Sequence, residues 1–180
     1  MYSGRLDGQI FLSLDFRLPP LRPREPMISQ FESLHAPQRT LLNTIARATE
    51  ADSRFRAVLI AGSVATGRTD RHSDLDLVLV CEPEVSPAVL TERVSLAEQY
   101  GDLLAAFTGE HVGEPRLLVC LYAVPGSQGE QHLVHVDLKF VVASDAVKRV
   151  DDVVALWSRD EALVGDLAVV PARYPAPDPQ

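Results

Sequence analysis

Asp74 and Asp76 stand one residue apart at the start of the apolar run "DLDLVLV". Side chains alternate across a strand, so both carboxylates project to one face while Leu75 and Leu77 project to the other. Two carboxylates held this close repel each other and destabilise the fold unless a cation sits between them. A third acid, Asp137, interrupts the apolar strand pattern "HLVHVDLKFVV", with His135 and Lys139 on its own face. Oxygen ligands of this kind suit a hard cation such as Mg²⁺, which keeps open positions for water and phosphate. Two such ions about 3.5–4 Å apart would clamp an in-line displacement at phosphorus.

The loop ahead of the aspartates has matching chemistry. Gly62 allows close backbone approach to a ligand. The amide and hydroxyl of Ser63 are phosphate-binding groups. Arg68 and Arg71 lie in the same loop, where a guanidinium meets phosphate oxygens well. Lys139 adds a cation on the Asp137 face and is assigned with them to a nucleotide. The string "GSVATGRT" falls one residue short of a P-loop, with Arg68 where that motif has lysine. A P-loop must open a helix, whereas here a polar loop leads into a second strand.

These residues need a scaffold. "FRAVLIAG" and "DLDLVLV" read as strands, and "RLLVCLYAV" and "HLVHVDLKFVV" as an antiparallel hairpin closed by "PGSQGEQ". Pro37 suits the first turn of a helix that continues through Leu41, Leu42 and Ile45. A second helix is expected over "SPAVLTERVSLAEQYGDLLAAF", capped at Ser86, with a kink at Gly101. "VVALWS" is a short apolar piece followed by a turn at "RDEA". Residues 1–35 read as an arm or poorly ordered leader, 36–170 as the functional domain, and 171–180 as a proline-rich tail or linker.

The whole chain narrows the function classes. Its 180 residues, 46% hydrophobic, suffice for one domain with a core. No apolar run approaches the roughly 20 residues that span a bilayer, and the N-terminus lacks the features of a signal peptide. Two cysteines do not make a disulfide framework, so the cytoplasm is the default compartment. A net charge of −8 repels nucleic acid on average.

A lone D-x-D or Gly-Ser turn is common. The specific feature is the conjunction "GSVATGRTDRHSDLDL" with the later "VHVDLKF". It resembles the DNA polymerase beta-like nucleotidyltransferase superfamily over about residues 38–145. The resemblance implies an α+β fold, a small mixed β-sheet with helices packed on one side. It implies transfer of a nucleoside monophosphate from an NTP such as ATP to an acceptor hydroxyl, with release of pyrophosphate and with Mg²⁺ as cofactor, two ions in all. By this resemblance Asp74 and Asp76 match the metal-binding pair and Ser63 the residue gripping the terminal phosphates. Asp137 matches the third acid, a metal ligand or a base toward the acceptor. The branch it is most similar to modifies aminoglycoside and lincosamide antibiotics, so a small hydroxylated acceptor is expected. A protein acceptor, as in antitoxin-like members, and a non-catalytic nucleotide-binding module are the alternatives. That branch carries a C-terminal helical bundle, so the resemblance implies either such a domain beyond this chain or a homodimer. An exposed apolar patch around Leu156 and Trp157 is expected to serve that interface.

Overall fold

The computed structural model describes Phe31 and residues 34–173. Five helices and six strands alternate along them: α1 (Ala36–Ala51), β1 (Phe55–Ile60), α2 (Gly62–Ala65), β2 (Leu75–Cys81), α3 (Ser86–Glu98), β3 (Asp102–Gly109), β4 (Glu114–Pro125), β5 (Gln131–Val142), α4 (Ala143–Val147), β6 (Val154–Ser158) and α5 (Glu161–Val169). The strands form one mixed sheet in the order β3-β4-β5-β2-β1-β6. Neighbours are antiparallel except β2 and β5, which run parallel at the centre.

The α+β class and the β4–β5 hairpin agree with the sequence. The placing of helices on one side does not. α1 and α3 cover one face through Leu41, Leu42, Ile45, Val89 and Leu96, which meet Val58, Leu77, Leu138 and Phe140. α4 and α5 cover part of the opposite face, where Ala146 and Leu163 pack on Ala57, Leu59, Val80 and Val141. The cause lies in β1, whose run of Ala57 to Ile60 is fully buried without alternation. A strand apolar on both faces needs cover on both. The second face is covered only beside β1 and the end of β2, and this leaves Asp76 and Asp137 uncovered.

Three other expectations change. The long second helix is split: α3 ends at Glu98, and Asp102–Gly109 is an edge strand paired with β4. The twelve-residue β4 offers an edge that this segment completes, and the backbone hydrogen bonds won there outweigh the helical propensity of its alanines. α3 begins at Ser86 with Val85 as N-cap, and Pro87 lies in its first turn. "VALWS" is β6, antiparallel to β1, so Leu156 and Trp157 are each only 3% exposed. The patch expected there does not exist. Trp157 lies in the main core, and its Nε1 donates to Thr49 Oγ1 of α1 at 3.3 Å. The turn at "RDEA" opens α5, with the Asp160 side chain accepting from the Leu163 amide.

Most of the arm assigned to residues 1–35 lies outside the described residues, yet Phe31 and Leu34 are buried in the main core. The packed unit therefore includes them. Of the tail, Pro171–Arg173 are described as irregular chain, and the rest lies outside the described residues.

Candidate active site

The parallel pairing of β2 with β5 sets Asp76 directly beside Asp137. Both point away from α1 and α3, as alternation requires with Leu75, Leu77, Val136 and Leu138 facing that core. They border a cleft of about 300 Å³. Burial holds both carboxyls above their usual range. For Asp76 the neighbouring charges of Asp137, Asp74 and Asp151 add to that effect, and His135 opposes it. For Asp137, His135 opposes and Asp74 adds. Sites built for chemistry concentrate such shifts.

Gly62 closes one side. Its φ is +64°, and a Cβ there would sit 2.0 Å from Asp76 Oδ2. The next backbone link is as close, since the Ala61 amide donates to the Asp76 carbonyl at 2.8 Å. The backbone thus lies directly on the carboxylate, an approach that only glycine allows. The turn that follows, α2, is a single helical turn and not the long helix of a P-loop.

Asp74 stands at the rim. It precedes β2, its side chain is 49% exposed, and its Oδ2 lies 3.0 Å from His135 Nδ1. His135 Nε2 is 3.3 Å from Asp137 Oδ1, so the imidazole stands between the two carboxylates. That second contact is an ion-pair distance without hydrogen-bond alignment, and Asp137 Oδ1 is a buried acceptor that lacks a donor. Among the described residues, no three His, Cys, Asp or Glu side chains are gathered as a ready metal-ligand cluster. The donors nonetheless suit Mg²⁺, which is commonly held by one or two carboxylates with water and phosphate completing the shell. The orphaned Asp137 oxygen and the carboxylate under Gly62 are such donors, and Asp76 and Asp137 would hold the ion, with Asp74 within reach of a rim position.

The remaining sequence-assigned residues fall into three places. Lys139 lines the cleft, but its Nζ is 2.8 Å from Glu114 Oε2. Arg68 is exposed and borders a second cleft of about 540 Å³ that shares Gly62, Val150 and Asp151 with the first. Ser63 and Arg71 line neither cleft. The Ser63 carbonyl accepts from the Arg68 amide at 2.9 Å, and Arg71 Nε donates to His72 Nε2 at 2.8 Å.

Sequence reasoning missed the far wall. Arg116, Asp145, Lys148, Arg149 and Asp151 also line the cleft. Arg116 donates to Glu114 and to Asp145, each at 2.8 Å. Glu114 is held down to about 2, chiefly by its hydrogen bond from Arg116 and further by Lys139, against the cost of burial. The signal was the charged string "DAVKRVDD", set between two apolar runs directly after the strand of Asp137. A scan against protein-family models and a search of curated proteins found no match to this chain.

Proposed function

We propose that the cleft catalyses metal-dependent nucleotidyl transfer from an NTP to a hydroxyl of a small acceptor. The observation that carries this reading is the Asp76–Asp137 pair: adjacent on parallel strands, pushed up by burial, and overlain by the Gly62 backbone. Such a pair is unfavourable in itself, and a cation together with a phosphate chain would relieve it. The resemblance to polymerase beta-like nucleotidyltransferases points the same way, through "GSVATGRTDRHSDLDL" and "VHVDLKF".

In this reading Mg²⁺, when bound, neutralises the phosphate oxygens and makes the α-phosphorus a better electrophile. Asp76 and Asp137 fix its place, and Gly62 leaves room for phosphate beside Asp76. Asp137 accepts the proton of the acceptor hydroxyl as that oxygen bonds to the α-phosphorus. The bond from the α-phosphorus to the bridging oxygen breaks, and pyrophosphate leaves with its electron pair. A raised basicity suits Asp137 to this role, because a stronger base takes the proton more readily. His135, between Asp74 and Asp137, orients the Asp137 carboxylate.

The test is pyrophosphate release by the purified chain with Mg²⁺, each of the four NTPs and a panel of hydroxylated small molecules. Asp137→Asn is expected to lower the rate by about 10²–10⁴-fold. Equal pyrophosphate release by wild type and Asp137→Asn would refute the assignment. Labelling of a co-purified protein with no small-molecule turnover would move the acceptor to the protein class.

A further inference from the structure

The cleft has four cationic side chains on its walls, and they are not equivalent. Lys139 is occupied by Glu114 at 2.8 Å. Arg116 is occupied twice, by Glu114 and by Asp145. Lys148 is exposed, and its ammonium is a well-hydrated point charge. Arg149 differs from all three. Its Nη2 donates to the Leu167 carbonyl in the last turn of α5 at 2.8 Å. Its Nε and Nη1 are withdrawn from solvent and have no acceptor among the described residues. A guanidinium cannot shed its proton, so these N–H groups remain donors at any ordinary pH. Buried donors are nearly always satisfied, and an unmet pair on a charged group calls for an acceptor.

We infer that Arg149 binds the phosphate chain of the nucleotide, and that it, rather than Lys139 or Arg116, is the main anion-binding side chain of the cleft. The inference rests on reading the cleft as a site for polyphosphate. Three features select that ligand class. Arg149 shares the cleft with Asp76 and Asp137, where a metal-bound phosphate chain would lie. Guanidinium geometry matches phosphate oxygens. A binding partner within the protein is missing, whereas each of the two occupied cations has one. Arg149 reaches a ligand by a side-chain rotation, and a single side-chain hydrogen bond to Leu167 holds it in place. Its backbone is separately anchored, because the Arg149 carbonyl accepts from the Arg173 amide at 3.1 Å. Replacing the side chain therefore leaves that anchor in place.

Inorganic tripolyphosphate is the probe, titrated calorimetrically into the full chain with and without Mg²⁺. Arg149→Gln is expected to weaken binding by about tenfold or more, with an unchanged far-UV spectrum. Arg149→Lys keeps the charge without the fork and is expected to fall between Arg149→Gln and wild type. If Arg149→Gln does not fold, the Lys variant decides alone: weakened binding supports the site, and wild-type affinity overturns it. A folded Arg149→Gln that binds like wild type also overturns it, and a lower melting temperature with unchanged affinity would mark Arg149 as a tie between α5 and the cleft wall. Wild type that does not bind tripolyphosphate in either condition overturns it as well. Arg149-dependent binding without any nucleotidyl transfer would discard the proposed reaction and keep this site.

Discussion

Gly62 has no room for a methyl group, and the obstacle is Asp76 Oδ2 at 2.0 Å from where that methyl would sit. Gly62→Ala meets two costs. The left-handed conformation costs a residue with a Cβ about 1–2 kcal/mol, and Asp76 must also shift. The variant is expected to melt at lower temperature and to lose any stabilisation by Mg²⁺, both read by thermal denaturation with and without the ion. Asp76→Asn has the opposite sign. The carboxyl is held above its ordinary value of 3.8 by burial and by the charges of Asp137, Asp74 and Asp151. Its favourable contribution is complete below that value and is lost as pH rises through the raised value in the folded chain. At neutral pH the ionised group is a net cost, so Asp76→Asn is expected to raise the melting temperature without metal and to abolish the increment that Mg²⁺ gives the wild type. A fall in melting temperature at pH 7 would contradict the repulsion argument. At this scale the sequence was informative about one wall of the cleft. Asp76, Asp137 and Gly62 meet there, because acids inside apolar strands and a glycine at a strand end stand out against their surroundings. Arg149 was not legible. Its distinction is the lack of a partner, which only the packing of α5 reveals.

The charged wall opposite belongs to β4 and β5, which bring Glu114 to Arg116 and Lys139. Here the pH dependence runs the other way. Glu114 is held down from 4.5 to about 2, so its contribution is present above 4.5 and is lost as pH falls toward 2. Glu114→Gln is expected to cost about 1–2 kcal/mol at neutral pH, because charge-assisted hydrogen bonds are strong while solvent screens the partly exposed Arg116. The difference from wild type should shrink on acidification through that window, as followed by denaturant titration. A penalty that is constant with pH would assign the effect to packing alone. Elements differed in how plainly the sequence announced them. The β4–β5 hairpin and α1 carry strong periodic patterns and turn residues, and both were read directly. β3 was hidden because "DLLAAF" suits a helix until β4 offers it a long edge, and it is that distant pairing which decides. α5 was hidden for a related reason. Its mid-helix Gly165 weakens the pattern, and the Asp160 cap and the packing of Leu163 beside Ala146 make up for it.

Across the whole molecule, one core joins Phe31 and Leu34, α1, α3 and the sheet out to β6, and Trp157 lies within it. Trp157 is the only tryptophan in the chain, so its emission reports from one known place. It bonds α1 through Thr49, and Arg159 stacks over its ring at 5.4 Å from the centroid. Thr49 is itself fully buried and tied to its own helix, its hydroxyl donating to the Ile45 carbonyl at 2.7 Å. The edge strand cannot leave the sheet without exposing Trp157 and opening the base of α1. Loss of β6 and loss of the main core should therefore be one event. Two-state unfolding is the rule for domains of this size, and the geometry gives it a local cause. Tryptophan fluorescence and far-UV circular dichroism are expected to trace coincident denaturant transitions, with blue-shifted native emission and little quenching by acrylamide. Trp157→Ala is expected to cost about 3–5 kcal/mol, the range for removing a large aromatic from a core. A red-shifted, freely quenched native emission would return Trp157 to the surface and reopen the interface that the sequence suggested. A fluorescence transition well ahead of the circular dichroism change would instead mean that β6 frays independently, and the cleft wall between α4 and β6, Arg149 included, would fray with it.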